Sequence, residues 1–121
     1  MKTILLTGGT GFLGQHLISR LLDLKHFELI VAKRKTTELF KYQKFLERVE
    51  YFNIDDNNWK KNLLNRKIDI IFHMATNYGK NSQSLSELAK SNLLMPMELW
   101  EFAKIKNIKH FVPTVFLGNT L

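Results

Sequence analysis

The chain has 121 residues, enough for one domain with a modest core. With 45% hydrophobic and 24% charged residues it has the composition of a folded globular protein, which excludes a disordered chain. Net charge is +7, from 18 Lys and Arg against 11 Asp and Glu. The cations are spread along the chain, from Lys2 to Lys109, without a recognition module or an aromatic–basic pattern, which favours a basic surface with one anion site over a nucleic-acid binder. Cysteine is absent, so disulfide frameworks and thiolate metal sites are excluded. The apolar run before Thr7 is only Ile4–Leu6, too short for a signal-peptide core, and nothing approaches a membrane span. The expectation is a cytoplasmic protein with no membrane partner.

In chain order, Thr3–Thr7 is a short apolar run ending in glycines and reads as a buried strand. Phe12–Leu24 places Leu13, Leu17, Ile18, Leu21 and Leu22 at helical spacing. Glu28–Lys33 is a second strand, and Thr36–Val49 reads as a helix with Thr36 or Thr37 as its N-cap. A third strand is expected at Val49–Ile54, a short helix or turn at Asn57–Asn65, and a fourth strand at Ile68–Ala75. The fourth strand's continuous apolar character suits burial on both faces. Ser84–Lys106 reads as a long helix opening with Ser84 and Glu87 in capping-box spacing, and His110–Phe116 begins a fifth strand.

Strands alternating with helices imply βαβ units and right-handed crossovers. The expected architecture is an α/β, doubly wound parallel sheet of order 3-2-1-4-5, in a single domain over residues 1–121, with helices on both faces. Ligands bind such sheets at the carboxyl ends of the strands, beside strand 1.

The stretch after strand 1 carries Gly8, Gly11 and Gly14 as GxxGxxG, and Gly9, Gly11 and Gly14 as GxGxxG. Such a loop lets the chain turn sharply, brings the backbone close to a diphosphate, and packs the first helix tightly on the sheet. The helix N-terminus then offers amides and a positive dipole end to the anion. The strand before it and the amphipathic helix after it give the motif the context of a Rossmann-type dinucleotide site. A P-loop is excluded because no Gly-Lys-Ser/Thr follows. Twenty residues beyond Gly14, where an NAD site carries an acid for the ribose hydroxyls, stands Arg34 between Lys33 and Lys35. A guanidinium can hold a 2′-phosphate that a carboxylate would repel, so NADP(H) is favoured over NAD(H).

"TGGTGFLG", "NID" after strand 3, "HMA" after strand 4 and an asparagine in the long helix together resemble the extended short-chain dehydrogenase/reductases, the branch of nucleotide-sugar epimerases, dehydratases and reductases. Within it, "HMATNYGKN" and "NLLMPMELWEFA" look most like the CDP-3,6-dideoxyhexose synthases, the abequose and paratose synthases. Those enzymes reduce a CDP-4-keto-3,6-dideoxyhexose with NADPH for O-antigen sugars. The resemblance implies that Gly8, Gly11 and Gly14, with the amides of Phe12 and Leu13, cradle the diphosphate. It implies that Arg34 meets the 2′-phosphate, that Asp55 bonds the adenine amino group, and that Ile54 lies against the ring. Ala75 and Thr76 would line the nicotinamide ribose side, and Asn92 would match the family's helix-4 asparagine. Pro96, four residues after Asn92, has no N–H to bond the Asn92 carbonyl, which is consistent either with that role or with a simple kink.

His73, ending a buried strand, reads as a packed histidine, and Trp59 and Trp100 as core or interface residues. No metal site is expected, because no second His or acid stands at ligand spacing. The family's general acid/base is a tyrosine followed four residues later by lysine. Tyr42, Tyr51 and Tyr78 are followed at that spacing by Leu46, Asp55 and Ser82, so the dyad is absent from these residues. Thr114 remains as a weak candidate for the family's Ser/Thr after strand 5, where Pro113 disfavours a central strand. The resemblance therefore implies the N-terminal portion of a longer fold, with the nucleotide-sugar substrate bound only in a full-length form. It also implies an exposed sheet edge through which the chain self-associates. Two alternatives stand beside an inactive cofactor-binding portion: a regulatory NADP(H)-binding module, and an interaction protein that has lost the cofactor.

Overall fold

The structure, a computed structural model, describes residues 1–38, 45, 47–74, 84–86 and 94–112. Five strands form one parallel sheet: β1 (Lys2–Thr7), β2 (Phe27–Lys33), β3 (Val49–Asn53), β4 (Ile70–His73) and β5 (His110–Val112). Their spatial order is β3-β2-β1-β4-β5, as the alternating pattern requires. The register aligns Ile4 with Leu29 and Ile70, and Leu29 with Val49, so the strands end together at one carboxyl edge.

Successive side chains of a strand point to opposite faces, and both faces of this sheet are covered. Ile4 and Leu6 of β1, with Leu29 and Val31 of β2, pack against Ile18, Leu21 and Leu22 of helix α1 (Phe12–Asp23) and against Phe45. Leu5, Ile30 and Ile71 face the other way. They meet Trp59 and Leu63 of α2 (Trp59–Leu63) and Leu99, Phe102 and Ala103 of α3 (Met95–Ile105). Trp59 is the hub of the second layer: its ring stacks on Phe102 at 5.1 Å and on Phe52 at 5.9 Å between centroids. The fold is a doubly wound, Rossmann-type α/β sheet with helices on both faces.

Two expected helices lie partly outside the described residues. Of the helix expected over Thr36–Val49, residues 36–38 and 47–49 are not helical and Phe45 lies in a 3₁₀ turn. The Thr37 amide instead donates to the Arg34 carbonyl at 3.0 Å, closing a turn after β2, while residues 39–44 and 46 lie outside the described residues. The long helix expected from Ser84 is described as helical at residues 85–86 and again over α3, with residues 87–93 outside the described residues. Pro96 is the second residue of α3, a position at which proline is well tolerated. The C-terminus of α3 closes in a Schellman motif: the Ile108 amide donates to the Ala103 carbonyl and the Asn107 amide to the Lys104 carbonyl, with Asn107 at φ 57°. Among the described residues no helix is long and apolar enough to cross a membrane.

Candidate functional site

The carboxyl edge of the sheet carries the glycine loop between β1 and α1. Gly8 has φ 77°, the left-handed conformation that turns the chain out of the strand without a side-chain penalty. Its carbonyl accepts the Gly11 amide at 3.2 Å. A Cβ on Gly14 would stand 2.0 Å from the same carbonyl and 2.6 Å from the Gly9 Cα, so α1 can approach the loop only with glycine there. Gly9, the residue the GxxGxxG reading passes over, is a packing position. A Cβ on it would run into Val31, Leu6 and Ile18 side chains at 2.5–3.0 Å. Gly11 differs: its nearest neighbour would be 3.5 Å away, which leaves open space above the loop.

The first intrahelical bond of α1 is the Gln15 amide to the Gly11 carbonyl, at 3.0 Å. The amides of Phe12, Leu13 and Gly14 precede it and have no carbonyl of their own helix to bond. Among the described residues no side chain caps this terminus, and its first turn carries no acid. Phe12 and Leu13 are exposed. A dense set of amides at the positive end of a helix dipole, unopposed by a carboxylate, is an arrangement for an anion such as a diphosphate. The residues present therefore fit the diphosphate of a dinucleotide: the cradle has room over Gly11 and close packing beneath it at Gly9 and Gly14.

β2 leads into the basic turn on the same edge. Arg34 is exposed directly after the strand. Its carbonyl accepts the Lys33 ammonium at 3.3 Å in addition to the Thr37 amide. β3 ends beside it, and the Ile54 amide donates to the Lys33 carbonyl at 2.8 Å. Ile54 packs partly on the Trp59 layer. Both oxygens of the Asp55 carboxylate accept the Lys35 amide, at 3.1 Å each. Asp55 is thus already engaged with the basic turn, and its remaining lone pairs stay available.

The third strand end at this edge is β4. His73 is 4% exposed, and its Nδ1 shares a 2.6 Å hydrogen bond with the Thr7 hydroxyl at the end of β1. Burial pushes the His73 pKa below the usual histidine value, so the ring is neutral at neutral pH. The packed-histidine reading holds, and the structure supplies the partner. The bond joins the strand that opens the glycine loop to the strand that leads toward Ala75 and Thr76. Ala75, Thr76, Asn92 and Thr114 lie outside the described residues.

Sequence reasoning missed three parts of this edge. These are Gly9 as a packing glycine, the Thr7–His73 bond, and the Asp55 link to Lys35. The second had a faint signal, a polar residue ending each of two apolar strands that the topology makes neighbours. The third had none, because it depends on which backbone amide the turn leaves facing β3. Of the two tryptophans, Trp59 is core, whereas Trp100 is 53% exposed with its ring edge against Phe111 at 5.4 Å.

A family model described as the NAD dependent epimerase/dehydratase family matches residues 4–115. The chain is 35% identical over 113 residues to the CDP-abequose synthase of Salmonella muenchen, covering 93% of this chain and 37% of that protein. Among solved structures, the ADP-L-glycero-D-manno-heptose-6-epimerase of Helicobacter pylori superposes with a TM-score of 0.74 at 24% identity, covering 91% of this chain and 38% of that one. The UDP-glucuronic acid 4-epimerase of Bacillus cereus, solved in complex with NAD, superposes with a TM-score of 0.68 at 23% identity, covering 90% and 38%. At those identities the superpositions establish the shared fold. The chain spans little more than a third of the length of each of these proteins. With a family model matching nearly its whole length, the chain belongs to the NAD-dependent epimerase/dehydratase family.

Proposed function

We propose that this chain is the NADP(H)-binding portion of a nucleotide-sugar reductase of the CDP-4-keto-3,6-dideoxyhexose type, in the synthesis of O-antigen sugars, and that it is inactive alone. The observation that carries the reading is one sheet edge holding both an uncapped, acid-free helix N-terminus and, at the next strand end, a basic turn centred on Arg34. The amides of Phe12 and Leu13 hold the diphosphate over Gly11, with Gly8 and Gly14 fixing the loop against α1. Arg34 grips the 2′-phosphate. Ile54 and Asp55 face the adenine, Ala75 and Thr76 the nicotinamide ribose side, and Asn92 and Thr114 complete the family's pattern. The cofactor, when bound, supplies the hydride chemistry of its nicotinamide.

A second reading, a non-catalytic NADP(H)-binding or interaction module, is favoured by one observation. None of the three tyrosines is followed four residues later by lysine. Both readings share the cofactor. Under either, the 35% identity to a CDP-abequose synthase supports the sugar-nucleotide branch, and the one-sided pairing of β5 among the described strands supports self-association through that edge. The localisation that goes with this function is the cytoplasm.

Titration of the purified chain with NADPH and with NADH, read by nicotinamide fluorescence, tests the proposal. NADPH is expected to bind more tightly. Absence of binding by both refutes the cofactor reading, and a preference for NADH refutes the role of Arg34. A monodisperse monomer in light scattering refutes self-association.

A further inference from the structure

We propose that Asp55 is a positioning residue for the basic turn and, through it, a determinant of the choice between NADPH and NADH. The inference rests on the reading of Arg34 as the partner of a 2′-phosphate. It goes beyond that reading by assigning Asp55 a task other than contact with adenine.

The main chain on both sides of Arg34 is tied to β3 and the loop after it. The Lys33 carbonyl accepts the Ile54 amide at 2.8 Å. The Lys35 amide donates to both carboxylate oxygens of Asp55, at 3.1 Å each, across twenty residues of sequence. Between these two ties the Arg34 carbonyl is held by the Thr37 amide and the Lys33 ammonium, while Arg34 itself is exposed. A guanidinium held on a prearranged backbone loses less freedom when it meets a phosphate than one on a loose turn. Of these ties, Asp55 supplies the one made by a side chain immediately C-terminal to Arg34.

Asp55 also carries a negative charge on the same turn, and that charge opposes a 2′-phosphate. Its two effects on NADPH therefore have opposite signs, and two neutral substitutions separate them. Asp55→Asn removes the charge and keeps one acceptor oxygen for the Lys35 amide. Asp55→Ala removes both. Any contact with adenine is common to the two cofactors and cancels in the ratio of their affinities.

The experiment measures NADPH and NADH dissociation constants for the parent chain and both variants. The NADPH-to-NADH affinity ratio is expected to be at least about fivefold lower in Asp55→Ala than in Asp55→Asn, and in Asp55→Asn no lower than in the parent. Equal ratios in the two variants, with the parent still preferring NADPH, overturn this proposal alone. A parent that does not prefer NADPH overturns the reading of Arg34, and this proposal falls with it. A ligand-free measurement guards against a variant that folds poorly. In a ¹⁵N-correlated NMR spectrum the Lys35 amide should move in Asp55→Ala far more than in Asp55→Asn, while the amides of β1 keep their positions. A Lys35 amide unmoved in both variants overturns the proposal.

Discussion

Gly14→Ala tests the geometry of the glycine loop most directly. In an ordinary helix interior the change would stabilise by roughly 0.5–1 kcal/mol, because alanine has less backbone entropy to lose. Here the new Cβ would lie 2.0 Å from the Gly8 carbonyl oxygen, 2.8 Å from its carbon and 2.6 Å from the Gly9 Cα. All three obstacles are backbone, so no rotamer change relieves them. Ordinary contact begins near 3.4 Å, so α1 and the loop must separate by more than an ångström. That movement disturbs the Gly11-to-Gly8 hydrogen bond and opens the packing of Gly9 under Val31, Leu6 and Ile18. Overpacking of this kind costs about 1–3 kcal/mol, and a lost hydrogen bond adds about 1. After the helix gain is subtracted, the net destabilisation is about 1–3.5 kcal/mol, a large share of the stability of a domain this size. The thermal midpoint followed by circular dichroism should fall by roughly 5–15 °C. Gly11→Ala is the control: its Cβ has 3.5 Å of clearance, so its midpoint should stay within the range of an ordinary surface change. NADPH affinity should fall in both variants, in Gly11→Ala by filling the cradle alone. A Gly14→Ala chain that melts with the parent would show that α1 does not need this close approach to the loop.

Arg34→Asp should weaken NADPH binding by more than tenfold and NADH binding by much less, read by the same fluorescence titration; equal losses make Arg34 a bystander. His73 is buried and its folded-state pKa is lowered. The unfolded chain therefore takes up the proton first, and stability should be flat above about pH 6.5 and decline as pH falls below it. Urea midpoints measured from pH 8 to pH 5 check this, and a His73→Gln variant should lack that slope. Asp69 has its pKa lowered, first by the Thr3 amide that its carboxylate accepts at 2.8 Å. It stabilises the β1–β4 pair above the unfolded carboxylate range near pH 3.9, and that contribution is lost as pH falls through its folded value. The acid limb of the unfolding curve should accordingly become shallower in Asp69→Asn. Lys25 holds φ 59° just past the end of α1, so Lys25→Gly should raise stability by roughly 1 kcal/mol in urea denaturation, and an unchanged midpoint would count against strain there.

The sheet was legible because its strands are buried on both faces. Ile4–Leu6, Leu29–Ala32 and Ile70–Phe72 form continuous apolar runs within their strands. The anion cradle was legible because glycine has few other reasons to recur at that spacing between a strand and a helix. What the pattern could not reveal depends on distances between elements. Gly9 reads the same as Gly11 in sequence, yet one fills a gap beneath Val31 and the other faces open space. Thr36 and Thr37 have the chemistry of N-caps, and only the fold shows that the Thr37 amide closes a turn on the Arg34 carbonyl. Asp55 shows an acid after strand 3, and only the fold shows that its carboxylate faces the Lys35 amide.

The central position of β1 has a consequence for how the chain is made. β1 is synthesised first but needs neighbours on both sides. Its partner in β2 follows 25 residues later, Lys2 with Phe27, while its partner in β4 follows 66 residues later, Ile4 with Ile70. At roughly 5–20 residues per second, the second partner arrives about 3–13 s after β1 itself. During that interval a β1–α1–β2 unit can assemble around Gly9 and Ile18, but the far side of β1 remains a bare apolar edge. The most buried strand of the finished protein is thus the one left open longest on the ribosome. Slowing translation between residues 33 and 70 should therefore increase aggregation of the nascent chain more than slowing it after residue 73.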